Sequence, residues 1–316
     1  MPSLHNLPAP AKINLFLHVT GRRPDGYHLL QSVFVLLDWH DTLHIDTRAD
    51  GAIVRHDLNV RLPSDDLCTR AARLLKTESG TSLGCDIRIE KVLPSGAGLG
   101  GGSSDAATVL LALNSLWGLH WPGERLEHLA LELGADVPFF VRGHNAWVEG
   151  IGEQITPIDL PEEVLQAHLV LLKPPASVPT SAIFNSPLMK RDTSRATVAV
   201  FLAAPRRFGR NDLQEPAEAW RESEPNGSTS PHSAGDGRQI SRALGVMRTR
   251  FGNSRMTGSG STVFSWAAPG LAPSNLDVVQ AVEIAPHEAH WVGRVCRVLP
   301  SHPLLHLLNG TTPGSK

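Results

Sequence analysis

Apolar residues recur along this chain in two patterns, which together predict a mixture of strands and helices. Alternation, or a short apolar run between turn residues, predicts strands over residues 11–19, 33–45, 85–92, 168–172 and 262–266. Spacing of three and four residues predicts helices over residues 64–75, 105–117, 124–133 and 241–251. Ser64, Asp65 or Asp66 can cap the first of these helices, and Gly118 stands where the second should end.

Two segments interrupt this pattern and indicate how the chain is divided. Residues 155–161 carry two prolines ahead of a new apolar strand, so we expect a domain boundary close to them. Residues 220–237 are rich in Ser, Gly, Pro and Glu, and we expect a mobile loop there. With 316 residues, the chain is long enough for two domains with cores of their own.

The composition is typical of a globular cytoplasmic protein. Hydrophobic residues make up 41% of the chain, and a net charge of −2 gives no electrostatic reason to bind nucleic acid or an anionic membrane. Three scattered cysteines, at 68, 85 and 296, form neither a disulfide framework nor a zinc cluster. Because we find no secretory leader and no membrane-length apolar run, we expect an unanchored cytoplasmic protein.

The most informative segment is Leu93–Thr108, a glycine-rich loop that leads directly into a helix. Glycines at 96, 98, 100, 101 and 102 let backbone N–H groups approach a ligand, while Ser103, Ser104 and Asp105 are candidates for the helix N-cap. The free N–H groups and the positive dipole end of a helix start favour an anion. We therefore interpret this segment as a phosphate-binding loop.

Three other interpretations of the loop are weaker. Residues 96–101 match G-x-G-x-x-G, but the acidic residue expected about 20 positions later is Glu124, which opens a helix instead of ending a strand. A Walker A loop needs a lysine, and here Gly102 is followed by Ser103. A merely flexible connection would not need the strand and helix that flank it.

Two charged residues stand among apolar neighbours and are candidates for chemistry. Lys12 lies inside the first predicted strand, where a charge is costly unless it has a partner. Asp136, in G-A-D-V-P-F-F, is the natural partner. The alternatives are a lysine that points into water and an aspartate that serves only a turn.

A second candidate pair is Tyr27, the one tyrosine of the chain, and the adjacent His28. An aromatic ring beside a hydrogen-bonding imidazole suits a base or sugar ligand, and a structural pair is the alternative. Residues 287–290, H-E-A-H, lack the spacing of a zinc-protease motif, so we interpret them as a surface segment.

Three motifs resemble, in order, those of the galactokinase, homoserine kinase, mevalonate kinase and phosphomevalonate kinase (GHMP) superfamily. They lie at residues 10–17, 94–107 and 256–264. Residues 10–34, 133–144 and 178–184 are similar to the branch of that superfamily whose substrate carries a cytidine diphosphate group. The resemblance is dense from residue 8 to about residue 190 and sparse afterwards.

The resemblance implies a two-domain α+β fold with the active site between the domains. Residues 1–160 would form a ribosomal-protein-like domain with the ATP loop, and residues 161–316 a ferredoxin-like domain. It also implies phosphorylation of the 2-hydroxyl of a cytidine diphosphate-linked methylerythritol, with ATP and Mg²⁺, on the non-mevalonate route to isoprenoid precursors. The implied partners are these small molecules, without nucleic acid or membrane, and the implied state is a monomer or weak homodimer. Another GHMP kinase or a non-catalytic nucleotide-binding module is the alternative.

The resemblance also assigns roles within the site. Asp136 would accept the proton of the substrate hydroxyl, and Lys12 would steady the developing alkoxide. Substrate would be bound by Asn14, Tyr27, His28, Thr180 and Phe184, with Tyr27 and Phe184 sandwiching the cytosine. ATP would be held by Pro94, Gly96, Gly98, Leu99, Gly100, Gly101, Gly102, Ser103 and Ser104, with Ser104 as the magnesium ligand. Residues 258–260 would close the site. Asp66 departs from the asparagine that related kinases often place beside adenine.

Overall fold

A computed structural model describes residues 1–221, 236–268 and 291–308 of the protein. Most of the loop predicted over residues 220–237, and all of the segment 287–290, lie outside the described residues.

Within the described residues, the first sheet has six strands, and it is built around a long hairpin. Its strands are β1 (Ser3–Arg22), β2 (His28–Arg48), β3 (Ile53–Asp57), β4 (Gly84–Glu90), β5 (Ala146–Gly150) and β6 (Gln154–Pro157). β2 pairs antiparallel with β1 along most of its length, with β5 near its start and with β4 near its end. The hairpin turn contains Gly26, whose φ of 93° favours glycine.

The helices of the first half are α1 (Leu67–Ser79), α2 (Gly101–Leu116), α3 (Gly123–Leu131) and α4 (Val137–Arg142). α1 and α2 pack against the strands, whereas α3 packs chiefly against the other helices. α2 is buried along most of its length because it packs against α1 and α4 as well as against β1 and β2. Such a helix, hydrophobic nearly all round, fixes the position of the loop that precedes it.

The second sheet is antiparallel. Its strands are β7 (His168–Lys173), β8 (Ser254–Met256), β9 (Val263–Trp266) and β10 (Val292–Arg297). Their order across the sheet is β10-β7-β9-β8. The remaining helices of the described chain are α5 (Glu162–Leu165), α6 (Thr180–Asn185), α7 (Val198–Leu202), α8 (Gln214–Ala219), α9 (Arg238–Phe251) and a 3₁₀ turn (Leu305–Leu307). α9 packs on this sheet.

The two sheets share an apolar core, so the halves of the chain are held as one body. Ile13 and Val35 of the first sheet belong to the same buried cluster as Leu171 and Phe264 of the second. After β10 the chain returns to the first half, where Leu304 joins the core under the helices. The fold is α+β, as predicted, and the division at residue 160 stays a prediction. None of the described helices combines the length and apolar character that crossing a bilayer needs.

The predicted strands and helices are all present, but the start of α2 was predicted wrongly. Ser103, Ser104 and Asp105 were expected to cap this helix, which instead begins at Gly101, four residues earlier than predicted. Gly100 is the N-cap, with a left-handed φ of 71° that allows the helix to start inside the loop. Of the three cap candidates for α1, Asp66 is the cap, since its carboxylate accepts from the backbone N–H groups of residues 68 and 69.

Candidate active site

Lys12 is a buried cation that faces a carboxylate. It is 4% exposed in β1, and its Nζ donates to Asn14 Oδ1 at 2.8 Å and lies 3.3 Å from Asp136 Oδ2. The ammonium also lies 4.4 Å from the centre of the Phe34 ring. The pairing of Lys12 with Asp136 is therefore confirmed, and the alternative of a lysine that points into water is wrong.

Asp136 is held by the short helix that follows it. α4 places Pro138 in its first turn and buries Phe139 and Phe140, which fixes the helix in the core. The Asp136 side chain makes no capping hydrogen bond and stays 33% exposed. Its carboxylate is thus available to a ligand while one oxygen faces the Lys12 ammonium.

Asn14 organises the neighbourhood of Lys12 through both ends of its amide. Its Nδ2 donates to Ser32 Oγ at 3.0 Å, so its Oδ1 faces the ammonium of Lys12. Its backbone N–H donates to Thr257 Oγ1 at 2.8 Å, which joins β1 to the second half of the chain. Ser32 and Thr257 were not predicted from the sequence.

The glycine-rich loop packs tightly between Lys12 and a turn from the second half of the chain. A Cβ on Gly98 would lie 2.5 Å from Thr257 O, and one on Gly100 would lie 3.1 Å from Lys12 Cγ. Both glycines have left-handed φ values, 73° and 71°. The glycines were predicted to let a ligand approach the backbone; at these two positions the left-handed backbone and the close protein contacts add a separate steric reason for glycine.

The turn at residues 257–260 packs against the glycine loop at Gly98. Thr262 N donates to Ala97 O at 3.3 Å, which docks the turn on the glycine loop. Asn211 Nδ2 donates to the carbonyls of Met256 and Gly258, each at 2.8 Å, and holds the turn from behind.

A cavity of about 360 Å³ lies along the glycine loop. Of the predicted ATP-binding residues, those that line it are Pro94, Gly96, Gly98, Leu99, Gly100, Gly101, Gly102 and Ser103. Ser104 is fully buried, and its hydroxyl finds no hydrogen-bond partner in the part of the chain that is described. Asp66 also lines the cavity, and its carboxylate caps the start of α1.

The donor set around this cavity suits a magnesium ion that is bound chiefly through nucleotide phosphates. Within residues 1–221, 236–268 and 291–308, no cluster of three or more His, Cys, Asp or Glu side chains could hold a metal alone. Mg²⁺ usually takes one or two protein oxygens, with phosphates and waters completing its octahedron. Ser103 lines the cavity, whereas the hydroxyl of Ser104 is buried at the start of α2, and the assignment of Ser104 as the magnesium ligand stays a prediction.

A buried triplet of charges anchors both ends of the glycine loop. Lys91 Nζ, just before the loop, bonds to Asp41 and lies 2.5 Å from Asp105 Oδ2 in α2. Asp41 Oδ1 also accepts from the backbone N–H groups of Val92 and Leu93. Burial raises the pKa of Asp105 to about 7, although Lys91 acts in the opposite direction.

Two further cavities continue from the loop towards the hairpin turn. The first, of about 190 Å³, is lined by Lys12 and Asp136 and shares Gly98 and Gly100 with the cavity along the glycine loop. The second, of about 510 Å³, is lined by Tyr27, His28 and Phe184, and it shares Phe184 with the first. The three cavities are therefore contiguous, with the Lys12–Asp136 pair in the middle one.

The predicted base-binding residues meet in the outermost cavity. His28 and Phe184 are stacked, with ring centres 4.9 Å apart, while Tyr27 is 59% exposed beside them. Thr180 lines the middle cavity and its Oγ1 donates to Ser259 Oγ at 3.1 Å. Burial, and then the charges of Arg191 and Arg22, lower the pKa of His28.

No role was predicted for Lys91, Asp41 or Arg191. Lys91 lines the cavity along the glycine loop, while Asp41 and Arg191 bond to residues that line the cavities, Leu93 and His28 respectively. Lys91 stands two residues before the loop in K-V-L-P, between a predicted strand and the glycines. A lysine so close to the loop could have been identified from the sequence as a candidate site residue. Asp41 and Arg191 lie more than 40 residues from the loop in the sequence, so only the fold brings them to the site.

A two-sheet α+β fold with a glycine loop at a helix start and an adjacent lysine–aspartate pair defines a small-molecule kinase of the GHMP class. A profile described as "GHMP kinases N terminal domain" matches residues 66–144. Solved structures with the same fold include the homoserine kinase from Cytophaga hutchinsonii (TM-score 0.60, 14% identity, 96% of each chain covered).

More similar proteins narrow the family. The chain is 56% identical to the 4-diphosphocytidyl-2-C-methyl-D-erythritol kinase of Methylibium petroleiphilum, over 96% of this chain and 98% of that protein. It is 49% identical to the protein of the same name from Paracidovorax citrulli, over 96% and 97%. A crystal structure of 4-(cytidine 5'-diphospho)-2C-methyl-D-erythritol kinase aligns with a TM-score of 0.71 and 31% identity, over 94% of this chain and 99% of that one. The chain belongs to the 4-diphosphocytidyl-2-C-methyl-D-erythritol kinase family.

Proposed function

We propose that this chain transfers the γ-phosphoryl group of ATP to the 2-hydroxyl of 4-diphosphocytidyl-2-C-methyl-D-erythritol, a step of the non-mevalonate route to isoprenoid precursors. The observation that carries the proposal is the Lys12–Asp136 pair, at 3.3 Å, in a cavity that joins the glycine loop to the Tyr27–His28–Phe184 cavity. Family membership supports the same reaction.

The phosphates of ATP would lie along the glycine loop. The backbone N–H groups of the loop provide hydrogen-bond donors, and the start of α2 provides the positive end of a helix dipole. Such a cradle suits phosphoryl transfer, which depends mainly on positioning and charge neutralisation. Magnesium, when bound, would neutralise charge on the β- and γ-phosphates, with Ser103 as the protein hydroxyl available to it.

The acceptor hydroxyl would enter between Asp136 and the γ-phosphate. Its oxygen bonds to the γ-phosphorus as the bond between that phosphorus and the bridging oxygen breaks, ADP leaves, and the hydroxyl proton passes to Asp136. Lys12, fixed by Asn14, supplies a positive charge to the alkoxide as it develops. The cytidine end would bind in the cavity lined by Tyr27, His28 and Phe184, where the base can stack on the exposed ring of Tyr27.

The proposal includes a cytoplasmic location and a monomer or weak homodimer. The three cysteines, all in described residues, are buried and free, which supports a reducing compartment. Size-exclusion chromatography with light scattering tests the oligomeric state. A stable dimer or larger assembly at micromolar concentration would contradict that part of the proposal.

The experiment that tests the reaction is ADP release with a panel of acceptors. We expect turnover with 4-diphosphocytidyl-2-C-methyl-D-erythritol, one new phosphate monoester in the ³¹P spectrum per ADP formed, and no turnover with homoserine or mevalonate. Turnover with either of those acceptors alone would favour another GHMP kinase. ATP binding without turnover on any acceptor would favour a nucleotide-binding module.

A further inference from the structure

Arg191 joins two parts of the outermost cavity through a single guanidinium group. Its Nε donates to His28 Nε2 at 3.2 Å, at the start of β2. The same group donates to the carbonyls of Phe184 (3.0 Å), Ser186 (3.2 Å) and Met189 (3.0 Å), on and just after α6. Four hydrogen bonds therefore fix a ring and a backbone segment relative to each other.

The hydrogen bond from Arg191 determines which nitrogen of His28 carries the proton. An arginine side chain has donors only and stays charged, so His28 Nε2 must accept with a lone pair. The ring proton is then on Nδ1. Because Arg191 occupies Nε2, Nδ1 is the ring nitrogen left for a ligand. The ring, which lines the cavity, is left with one N–H donor for a ligand.

Arg191 also holds the wall on which a base would stack. The rings of His28 and Phe184 are nearly parallel, at 25°, and Arg191 bonds to the ring of the first and to the backbone of the second. Without the guanidinium, both the tautomer of the imidazole and the spacing of the two rings lose a constraint.

We propose that Arg191 is a positioning residue for base recognition: it fixes His28 with its proton on Nδ1 and holds the His28–Phe184 stack. The inference rests on the proposed function, because it assumes that the base of the acceptor binds in this cavity. A ring N–H donor suits cytosine, whose N3 and O2 are acceptors, better than uracil, whose N3 carries a hydrogen.

The tautomer can be read directly by NMR. Protein labelled with ¹⁵N-histidine would be measured at pH 7.5 by long-range ¹H–¹⁵N correlation, and a His28→Gln variant would assign the signal. We expect the pattern of a protonated Nδ1 and an unprotonated Nε2. A protonated Nε2 would overturn the inference without any variant of Arg191.

The matched variants are Arg191→Gln and Arg195→Gln. Arg195 lies on the same segment and is exposed, but it pairs with Glu149, at 2.6 Å. Glu149 is not among the residues that line the cavity, whereas His28 and Phe184, the partners of Arg191, are. Cytidine diphosphate binding would be measured by calorimetry. We expect about 10- to 100-fold weaker binding for the first variant, the range for one charged hydrogen bond, and less than a twofold change for the second.

Kinetics separate a positioning role from a general loss of structure. For Arg191→Gln we expect the KM for the cytidylyl acceptor to rise by about 10- to 100-fold, as the affinity for cytidine diphosphate falls. The kcat and the KM for ATP should stay within about threefold of wild type. Arg191→Lys keeps a cation that can donate to only some of the four acceptors. Its affinity for cytidine diphosphate should therefore lie between those of wild type and Arg191→Gln. Equal rises in both KM values would overturn the inference.

Failure of the inference and failure of the proposed function are distinguishable. Wild-type turnover of the cytidylyl acceptor, together with unchanged cytidine diphosphate binding in Arg191→Gln, would refute only the role of Arg191. Absence of wild-type turnover would refute the function. If Arg191→Gln does not fold, the NMR measurement on wild type and the Arg191→Lys variant still decide the matter.

Discussion

Replacing Lys91 by methionine tests whether the buried charge triplet anchors the ATP loop. The ammonium is 10% exposed and is shared by Asp41, which is fully buried, and Asp105, which is 3% exposed. Lys91→Met keeps an unbranched apolar side chain but leaves two carboxylates in the interior without a cation. Removing one partner of a buried ion pair costs about 3–5 kcal/mol, and we expect a loss of this size in the free energy of unfolding at pH 8.

The pH dependence of this loss has a definite sign. The pKa of Asp105 is raised to about 7 in the folded protein, so the folded state keeps a proton that the unfolded state releases near its ordinary value. Its contribution to stability is therefore present at low pH and is lost as the pH rises towards and through 7. Without Lys91 the carboxylates hold a proton to higher pH. Because one pKa unit corresponds to about 1.4 kcal/mol, the cost of Lys91→Met should be roughly 1–2 kcal/mol smaller at pH 6 than at pH 8.

Urea unfolding at the two pH values, with Lys190→Met as an exposed control, measures both effects. The control should stay within about 0.5 kcal/mol of wild type. Adding Asp105→Asn to Lys91→Met should recover part of the lost stability, because it removes one uncompensated charge. The reasoning would be refuted if Lys91→Met lost less than about 1 kcal/mol of unfolding free energy at pH 8, lost the same amount at pH 6, and recovered nothing when Asp105→Asn was added.

Two further predictions concern the walls of the site. Gly98→Ala would place a Cβ 2.5 Å from Thr257 O, so the loop must shift, and kcat/KM for ATP should fall by about 10- to 100-fold, the effect of small misplacements on phosphoryl transfer. Gly80→Ala, also at a left-handed φ but facing open space, should leave that ratio unchanged, and equal effects of the two would contradict the steric argument. Tyr27→Ala should raise the acceptor KM by about tenfold with little effect on the KM for ATP, since stacking on a base contributes about 1–3 kcal/mol. Equal changes in both KM values would refute a role in base binding.

Local patterns in the sequence predicted the elements that have strong periodicity or clear end signals. α1 and α9 show an apolar stripe, and burial alternates along the second half of β2, whereas β1 is buried almost continuously from residue 7 to residue 19. The start of α2 was predicted wrongly because Ser and Asp usually cap helices, whereas here a glycine with a left-handed backbone does so. Gly100 is the N-cap, and Ser103 and Ser104 lie inside the helix.

The site was predictable where its residues sit in short motifs and not where the fold alone unites them. Lys12 and Asp136 could be paired because each is a charge among apolar neighbours. The link from Asn14 to Thr257 spans 243 residues, and the link from Arg191 to His28 spans 163. No local pattern encodes such contacts, because they depend on how the second half of the chain packs against β1 and β2.

The central claim is that Asp136 accepts a proton from the acceptor hydroxyl during phosphoryl transfer from ATP. Its most direct test is single-turnover ADP formation with 4-diphosphocytidyl-2-C-methyl-D-erythritol, for wild type and Asp136→Ala, together with ATP affinity for both. We predict that the variant loses about 10²- to 10⁴-fold in rate, the usual contribution of a general base, while it binds ATP as wild type does. A near-normal rate of ADP formation in Asp136→Ala would contradict the account.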